Sequence, residues 1–399
     1  MPSSPPVWQF DEFEFDTQRF ELRRDGEVIR IEPQVFDVMA QLIGNHQRVV
    51  TKNELFDSVW GGRFVGEAAL TSRIKAARRA LGDDGESQRY IRTVRGRGYQ
   101  FVGALGAPTQ PPPAEAPPPG PKQHIAFCRS ADGVRLAYAA VGEGPPLVRA
   151  ANWMTHIGYD IESPVWRHWV TDLSVDHTLV RYDERGCGLS DWGATDFTFG
   201  DWVADLESVV EALGLETFSL LGVSQGGAVA VAYAARHPDR VERMVLCGAY
   251  ARGRAVRASG GDEQRAASLD IDLARVGWGR DDPAFRQVFA AQFLPEGTRA
   301  DWAAFDQLQR HTTSAENAVR FLEEFGRIDV RDEAREVRCP TLIMHSRDDH
   351  RVPMQCGEEL AALIPDSRLV VLDSPNHLLT ATEPAWHVLR EEISGFLAR

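Results

Sequence analysis

The 399-residue sequence contains no run of about 18 apolar residues, so no membrane-spanning helix is expected. Cysteine is scarce. The five present, Cys128, Cys187, Cys247, Cys339 and Cys356, are odd in number and scattered, and form no CxxC pair. That argues against a disulfide framework or a zinc site and fits a reducing cytoplasm. Met1 to Phe10 carries neither a basic stretch nor an apolar core, so no secretory signal is visible. Metal-ligand clusters, a P-loop and a dinucleotide fingerprint are also missing, and neither metal nor cofactor is expected. What is present is 43% hydrophobic residues, enough for globular cores, over a length that suggests two or three domains.

The net charge of −14 is unevenly spread. Met1–Leu105 holds 15 basic and 15 acidic residues and is neutral, so the whole excess lies in the remaining 294 residues. Within the first segment, Arg63–Gly98 carries nine basic and four acidic residues. A neutral domain with one basic edge, joined to an acidic body, suggests two separate tasks. Between them, Ala107–Lys122 reads APTQPPPAEAPPPGPK, with eight prolines in sixteen residues. Proline lacks an N–H and fixes φ, so this stretch is expected to be an extended spacer reaching about 50 Å. The predicted organisation is therefore 1–105, a Pro-rich linker over 106–123, and a second domain over 124–399.

In the first domain, Trp8–Phe15 and Arg19–Ile31 alternate around turn signals and read as short antiparallel strands. Pro33–Asn45 has helical spacing. Thr51 and Glu54 form a capping box for a second helix, whose apolar face is Leu55, Val59 and Trp60. A third helix spans about Gly66–Leu81 and stops at Gly82. Arg73, Lys75, Arg78 and Arg79 lie off its apolar face. Tyr90–Gly103 then reads YIRTVRGRGYQFVG, a hairpin with arginines at its tip. A basic helix followed by a basic hairpin suits the grooves of duplex DNA.

The strands, ALTSRIKAARRALGDD and IRTVRGRGYQF together resemble the OmpR/PhoB-type winged helix of bacterial response regulators over Trp8–Val102. The resemblance implies that Arg73, Lys75, Arg78 and Arg79 face a groove and that Thr93, Arg95 and Arg97 hold the wing on DNA. Such domains usually follow a phosphoacceptor receiver. None precedes this one in the sequence, so phosphorelay control is not expected. Operators of such regulators are usually repeats, which makes a homodimer a reasonable assembly, although no dedicated dimer segment is visible.

After Lys122, strands and helices alternate as in a mostly parallel sheet. Phe218–Ala235, FSLLGVSQGGAVAVAYAA, runs from an apolar strand through Gly222-Val223-Ser224-Gln225-Gly226 into a small-residue helix. This is G-x-S-x-G in the strand–turn–helix setting that presents a serine nucleophile. Such a serine needs a base and an orienting acid. Thr341–Ser346 reads as a strand followed by Asp348 and Asp349, either of which could be the acid, and Leu369–Leu372 is followed by His377 in a loop. His345, His350 and His387 have no such placement.

Tyr182–Ser190 also fits D-x-R-G-x-G-x-S, and Arg236–Val241 fits the connection after the elbow. With these pieces His124–Arg399 resembles α/β-hydrolases of the haloperoxidase, esterase and epoxide-hydrolase group. The resemblance selects Asp349 as the acid. It implies an oxyanion hole made from the backbone N–H of Gln225 and a second donor, Trp153 or Asn152, where the usual His-Gly is absent. A serine nucleophile argues against the epoxide hydrolases. An aromatic-rich insert at about 253–338 resembles a helical cap, and two or three of its aromatics are expected to line an apolar pocket.

The expected fold is thus multidomain, an α+β winged helix followed by an α/β-hydrolase. The expected function is a cytoplasmic one-component regulator that binds duplex DNA and senses or hydrolyses a small hydrophobic ester, lactone or amide. Two alternatives stay open: a ligand sensor without useful turnover, and a hydrolase whose winged helix serves only protein contacts.

Overall fold

The computed structural model describes residues 7–17, 20–60, 67–105, 122–194, 198–280 and 284–398, apart from the side chains of Asp57 and Trp60. The linker at 106–121, Gly66, Arg19, Arg63 and the Trp60 side chain fall outside the described residues. The chain divides into two compact units, Met1–Pro118 and Pro119–Arg399.

The first unit opens with a four-stranded antiparallel sheet in sequence order: β1 (Val7–Phe10), β2 (Phe13–Asp16), β3 (Glu21–Arg24) and β4 (Glu27–Ile29). Three helices follow, α1 (Pro33–Gly44), α2 (Lys52–Trp60) and α3 (Glu67–Ala80), with β5 (Val50–Thr51) before α2. A hairpin of β6 (Ile91–Val94) and β7 (Gly98–Phe101) pairs with β5 through β7. Thr51 and Glu54 do close a capping box: Thr51 N–H donates to the Glu54 carboxylate at 2.8 Å, and Glu54 N–H donates to Thr51 Oγ1 at 3.2 Å. Gly82, at φ +63°, ends α3 in the left-handed region. Phe10, Phe15, Phe36, Leu42, Leu55, Ile74 and Phe101 fill one core between the helices and both sheets.

The second unit is built on an eight-stranded sheet ordered β15-β14-β13-β12-β10-β11-β9-β8. Its strands are β8 (His124–Arg129), β9 (Arg135–Val141), β10 (Pro146–Arg149), β11 (Thr178–Tyr182), β12 (Phe218–Val223), β13 (Val241–Cys247), β14 (Thr341–Ser346) and β15 (Ser367–Leu372). Only β8 and β9 run antiparallel to their neighbours. β12 and β14 are buried at every residue, as expected of parallel strands covered on both faces.

The connecting helices are α4 (Ile157–Asp160), α5 (Arg167–Leu173), α6 (Phe199–Ala212) and α7 (Gln225–Arg236). Between β13 and β14 the chain inserts α8 (Arg254–Arg257), α9 (Gly261–Gly277), α10 (Ala284–Phe293), α11 (Arg299–Thr312) and α12 (Ala315–Arg327). The insert leaves and returns at one neck, where Gly253 N–H donates to the Ile328 carbonyl and Val330 N–H to that of Ala251. α13 (Arg331–Glu336), α14 (Met354–Leu363) and α15 (Pro384–Leu397) complete the unit. Among the described residues no helix is long and apolar enough to cross a membrane.

Candidate functional site

Ser224 stands between β12 and α7 with φ +52° and ψ −124°, a conformation costly for a non-glycine residue. In this unit only one other described non-glycine residue has positive φ, Met154 at +65°. Both border the same cavity, so the backbone strain is concentrated there. The glycines around Ser224 permit the turn. A Cβ on Gly222 would lie 2.5 Å from Gly227 Cα, and one on Gly226 would lie 2.9 Å from the Ala151 carbonyl.

Asp349 and His377, 28 residues apart, meet just beyond the ends of β14 and β15. His377 Nδ1 lies 2.6 Å from Asp349 Oδ2, with both side chains fully buried. Asp349 Oδ1 accepts the N–H groups of Arg351 and Val352, each at 2.8 Å. Burial alone would raise the Asp349 pKa, but His377 and the Val352 N–H outweigh it and hold the carboxylate below its ordinary value. Asp348 is exposed and makes no such contact, so the geometry puts the carboxylate of Asp349 on the imidazole. His377 Nε2 is buried and has no hydrogen-bond partner among the described residues. The His377 loop is held by the insert, because the Phe293 carbonyl at the end of α10 accepts the N–H of both His377 and Leu378.

His345, set aside on sequence, is fully buried. Its Nε2 contacts the Val352 carbonyl at 2.8 Å, propping the turn that carries Asp349. His350 and His387 are exposed. Gln225 opens α7, and Asn152 and Trp153 follow β10; all three border the cavity with Ser224. Arg149, buried and stacked 3.9 Å over Trp166, donates to Asn152 Oδ1 at 2.6 Å and so fixes the loop after β10. Burial lowers the Arg149 pKa to about 10. No sequence pattern marked this arginine, which sits in an otherwise apolar strand.

The D-x-R-G-x-G-x-S segment proves to be a structural lock. The buried Arg185 makes paired bonds to Asp205 at 2.8 and 2.7 Å and reaches Asp132 at 2.7 Å. Asp183 accepts the N–H groups of Ile157 and Leu189, and Ser190 bonds the Asp183 carbonyl. Glu184 is different. Neither of its oxygens makes a well-aligned hydrogen bond among the described residues, with only the Gln225 side-chain amide close by. Burial pushes its pKa up to about 8, a shift only partly offset by the neighbouring Gln225 amide. A carboxyl with a raised folded pKa lends stability below its ordinary value near 4.5 and loses it as pH climbs toward 8. Glu184→Gln is therefore expected to raise the melting temperature at pH 8 by at least about 3 °C and to flatten the decline between pH 5 and 8, as read by calorimetry. An unchanged pH profile would show that Glu184 does not titrate there.

Of the insert aromatics, Phe293 and Phe325 border the cavity, together with Leu322. Trp278 and Phe289 instead pack on Trp153, at 5.5 and 5.8 Å between ring centroids.

In the first unit, Lys75 and Arg79 on α3 and Arg95 and Arg97 at the hairpin tip are exposed. None of the four makes an ion pair with another described residue. Arg73 and Arg78 depart from the expectation that they face outward. Arg73 pairs with Glu32 at 2.7 Å and donates to Gln34. Arg78 donates to the Ile91 carbonyl at 2.7 Å and to Thr93 Oγ1 at 2.9 Å, tying α3 to the wing. A helical repeat shows which face a long side chain leaves from, but not the distant carbonyl or carboxylate that it finds.

Residues 157–384, more than half of the chain, match the family model described as alpha/beta hydrolase fold. The chain belongs to the α/β-hydrolase family. Residues 26–101 match the model for "Transcriptional regulatory protein, C terminal", so a regulator's DNA-binding domain is joined to the hydrolase fold. The α/β-hydrolase part is similar to the putative carbamate hydrolase RutD of Azorhizobium caulinodans, with 25% identity over 65% of this chain and 94% of that protein. Among solved structures it is similar to the enol-lactonase of Burkholderia xenovorans, with 25% identity, TM-score 0.56, and coverage of 69% of this chain and 100% of the other. It shares its fold with an esterase from Exiguobacterium antarcticum, at 22% identity, TM-score 0.58, and coverage of 69% and 100%.

Proposed function

We propose that this α/β-hydrolase is a cytoplasmic one-component transcriptional regulator whose hydrolase domain, 124–399, cleaves a small ester, lactone or amide. The winged helix, 1–105, would carry it to duplex DNA, with 106–123 as spacer and the insert as cap. The observation that carries the enzymatic reading is the 2.6 Å His377–Asp349 contact, taken together with a strained Ser224 that opens on a cavity.

In the proposed reaction Ser224 Oγ attacks the acyl carbon and His377 Nε2 accepts its proton. Asp349 holds Nδ1–H, fixing the tautomer and steadying the imidazolium. The Gln225 N–H and that of Trp153 or Asn152 would hold the oxyanion. His377 then returns the proton to the leaving group, and water resolves the acyl-enzyme by the same route. The names borne by the relatives, a carbamate hydrolase, an enol-lactonase and an esterase, support cleavage at an acyl carbon.

A fluorophosphonate probe tests the reading. A mass shift on the peptide bearing Ser224 is the expected result. An intact protein that leaves Ser224 unlabelled would favour a sensor without turnover.

A further inference from the structure

We propose that the cavity bordered by Ser224 contains a carboxylate-binding subsite formed by Arg254, Arg257 and Arg351, so that the molecule taken by this domain is an ester, lactone or amide bearing a carboxylate away from the scissile bond. The assignment of the scissile bond rests on the serine-hydrolase reading above.

The cavity is mostly apolar, walled by Trp153, Phe293, Leu322 and Phe325, yet three guanidinium groups border it. Arg254 and Arg257 lie one turn apart on α8, and Arg351 follows Asp349. One buried carboxylate, Asp270 of α9, serves two of them, pairing with both Arg254 and Arg351. The other acids nearby are engaged. Glu323 pairs with Arg275 at 3.3 Å, Glu359 pairs with Arg252 at 2.8 Å, and Glu263 accepts from Ser259.

Arg257 is left with neutral partners. It donates to the Arg252 carbonyl at 2.9 Å and lies over the Tyr250 ring, with no carboxylate within 4 Å among the described residues. Burial, Arg351 and Arg257 together hold Arg254 below its ordinary pKa against the pull of Asp270, as expected where cations outnumber anions. The same three arginines border a second cavity of about 360 Å³, where Arg252, Glu263 and Glu359 join them.

A half-buried guanidinium without an acid is suited to a planar carboxylate, which it can bind through two parallel hydrogen bonds. Three arginines against the one Asp270 carboxylate leave an excess of positive charge that an anionic group would offset. Asp270, already shared by two arginines, has little left for a cationic ligand. The subsite adds an anionic end to the small hydrophobic ester, lactone or amide expected from the sequence, because the apolar walls would hold the body of the molecule and the arginines its carboxylate.

The test compares two esters of equal chain length on the full-length protein, p-nitrophenyl pentanoate and the mono-p-nitrophenyl ester of glutarate. The wild type is expected to favour the glutarate ester by about 10-fold or more in kcat/KM at low salt. In Arg257→Gln that ratio is expected to fall about 10- to 100-fold, chiefly through KM, with Arg257→Lys retaining part of it. Equal kcat/KM for the two esters in the wild type would overturn the subsite without any variant having to fold, as would a preference that survives Arg257→Gln. If neither ester turns over, the hydrolase reading fails separately, and glutarate itself decides the subsite by thermal shift. Stabilisation of the wild type that is lost in Arg257→Gln supports it, and no stabilisation refutes it. Inorganic phosphate stabilising more strongly than glutarate would overturn the assignment to a carboxylate.

Discussion

Replacing Ser224 with alanine is expected to abolish fluorophosphonate labelling and to lower kcat/KM on any ester the protein cleaves by about 10⁴- to 10⁶-fold. The size of the loss follows from the division of labour. Without Oγ no acyl-enzyme forms, and only the oxyanion donors and the binding surface remain to assist water. The acid gives a sharper comparison. Asp349→Asn keeps the shape but lets the wrong imidazole tautomer form, at an expected cost of about 10⁴ in kcat. The adjacent Asp348→Asn alters an exposed side chain and is expected to change kcat less than about threefold. Steady-state kinetics on the three variants, with melting temperatures as a folding control, read this directly. Comparable losses at 348 and 349 would contradict the 2.6 Å contact as the functional one, and full activity without Ser224 would end the covalent mechanism.

The second large effect is expected on DNA. Lys75, Arg79, Arg95 and Arg97 are exposed, two on α3 and two on the hairpin. Replacing all four with alanine is expected to reduce the slope of log affinity against log salt by about 4, close to one unit per lost phosphate contact. Affinity for a duplex selected by the wild type is expected to fall about 10³-fold at physiological salt. Titrations at several salt concentrations, followed by fluorescence anisotropy, give both numbers. Arg73 and Arg78 are left intact because their guanidinium groups bind Glu32 and the Ile91 carbonyl. Removing either would loosen the fold and confuse a structural loss with an electrostatic one. An unchanged salt slope in the quadruple variant would remove this surface from DNA binding and favour protein contacts as the role of the winged helix.

The two constellations were readable from sequence to different depths. The turn at Ser224 was legible because its cause is local: a strained serine between a strand and a helix needs glycine on both sides, and Gly222 and Gly226 stand where a Cβ would strike backbone. The Thr51–Glu54 cap and the stop at Gly82 are local in the same sense. The choice between Asp348 and Asp349 needed the family's pattern, since alternation along the chain does not say which carboxylate turns inward.

The rest depends on partners far away in sequence. Arg149 looks like an interruption of an apolar strand until Trp166, from the start of α5, stacks against its guanidinium. The three cavity arginines come from α8 and from the turn after β14, nearly 100 residues apart, and no window of sequence contains both. Of the insert's aromatics only Phe293 and Phe325 border the cavity, while Trp278 and Phe289 are taken up by packing on Trp153, which only the folded chain brings to them.

The grip of α10 on the His377 loop is made by the main-chain carbonyl of residue 293, a group that no amino-acid exchange deletes. The side chain at that position borders the cavity and also packs edge-on against the His377 ring, 5.3 Å between centroids, so an exchange there alters what the cavity accepts and the packing of the imidazole together, while the main-chain anchor persists. Specificity and chemistry thus meet at a single residue, and a lineage that changed its effector through this side chain would have to repack the imidazole as it did so.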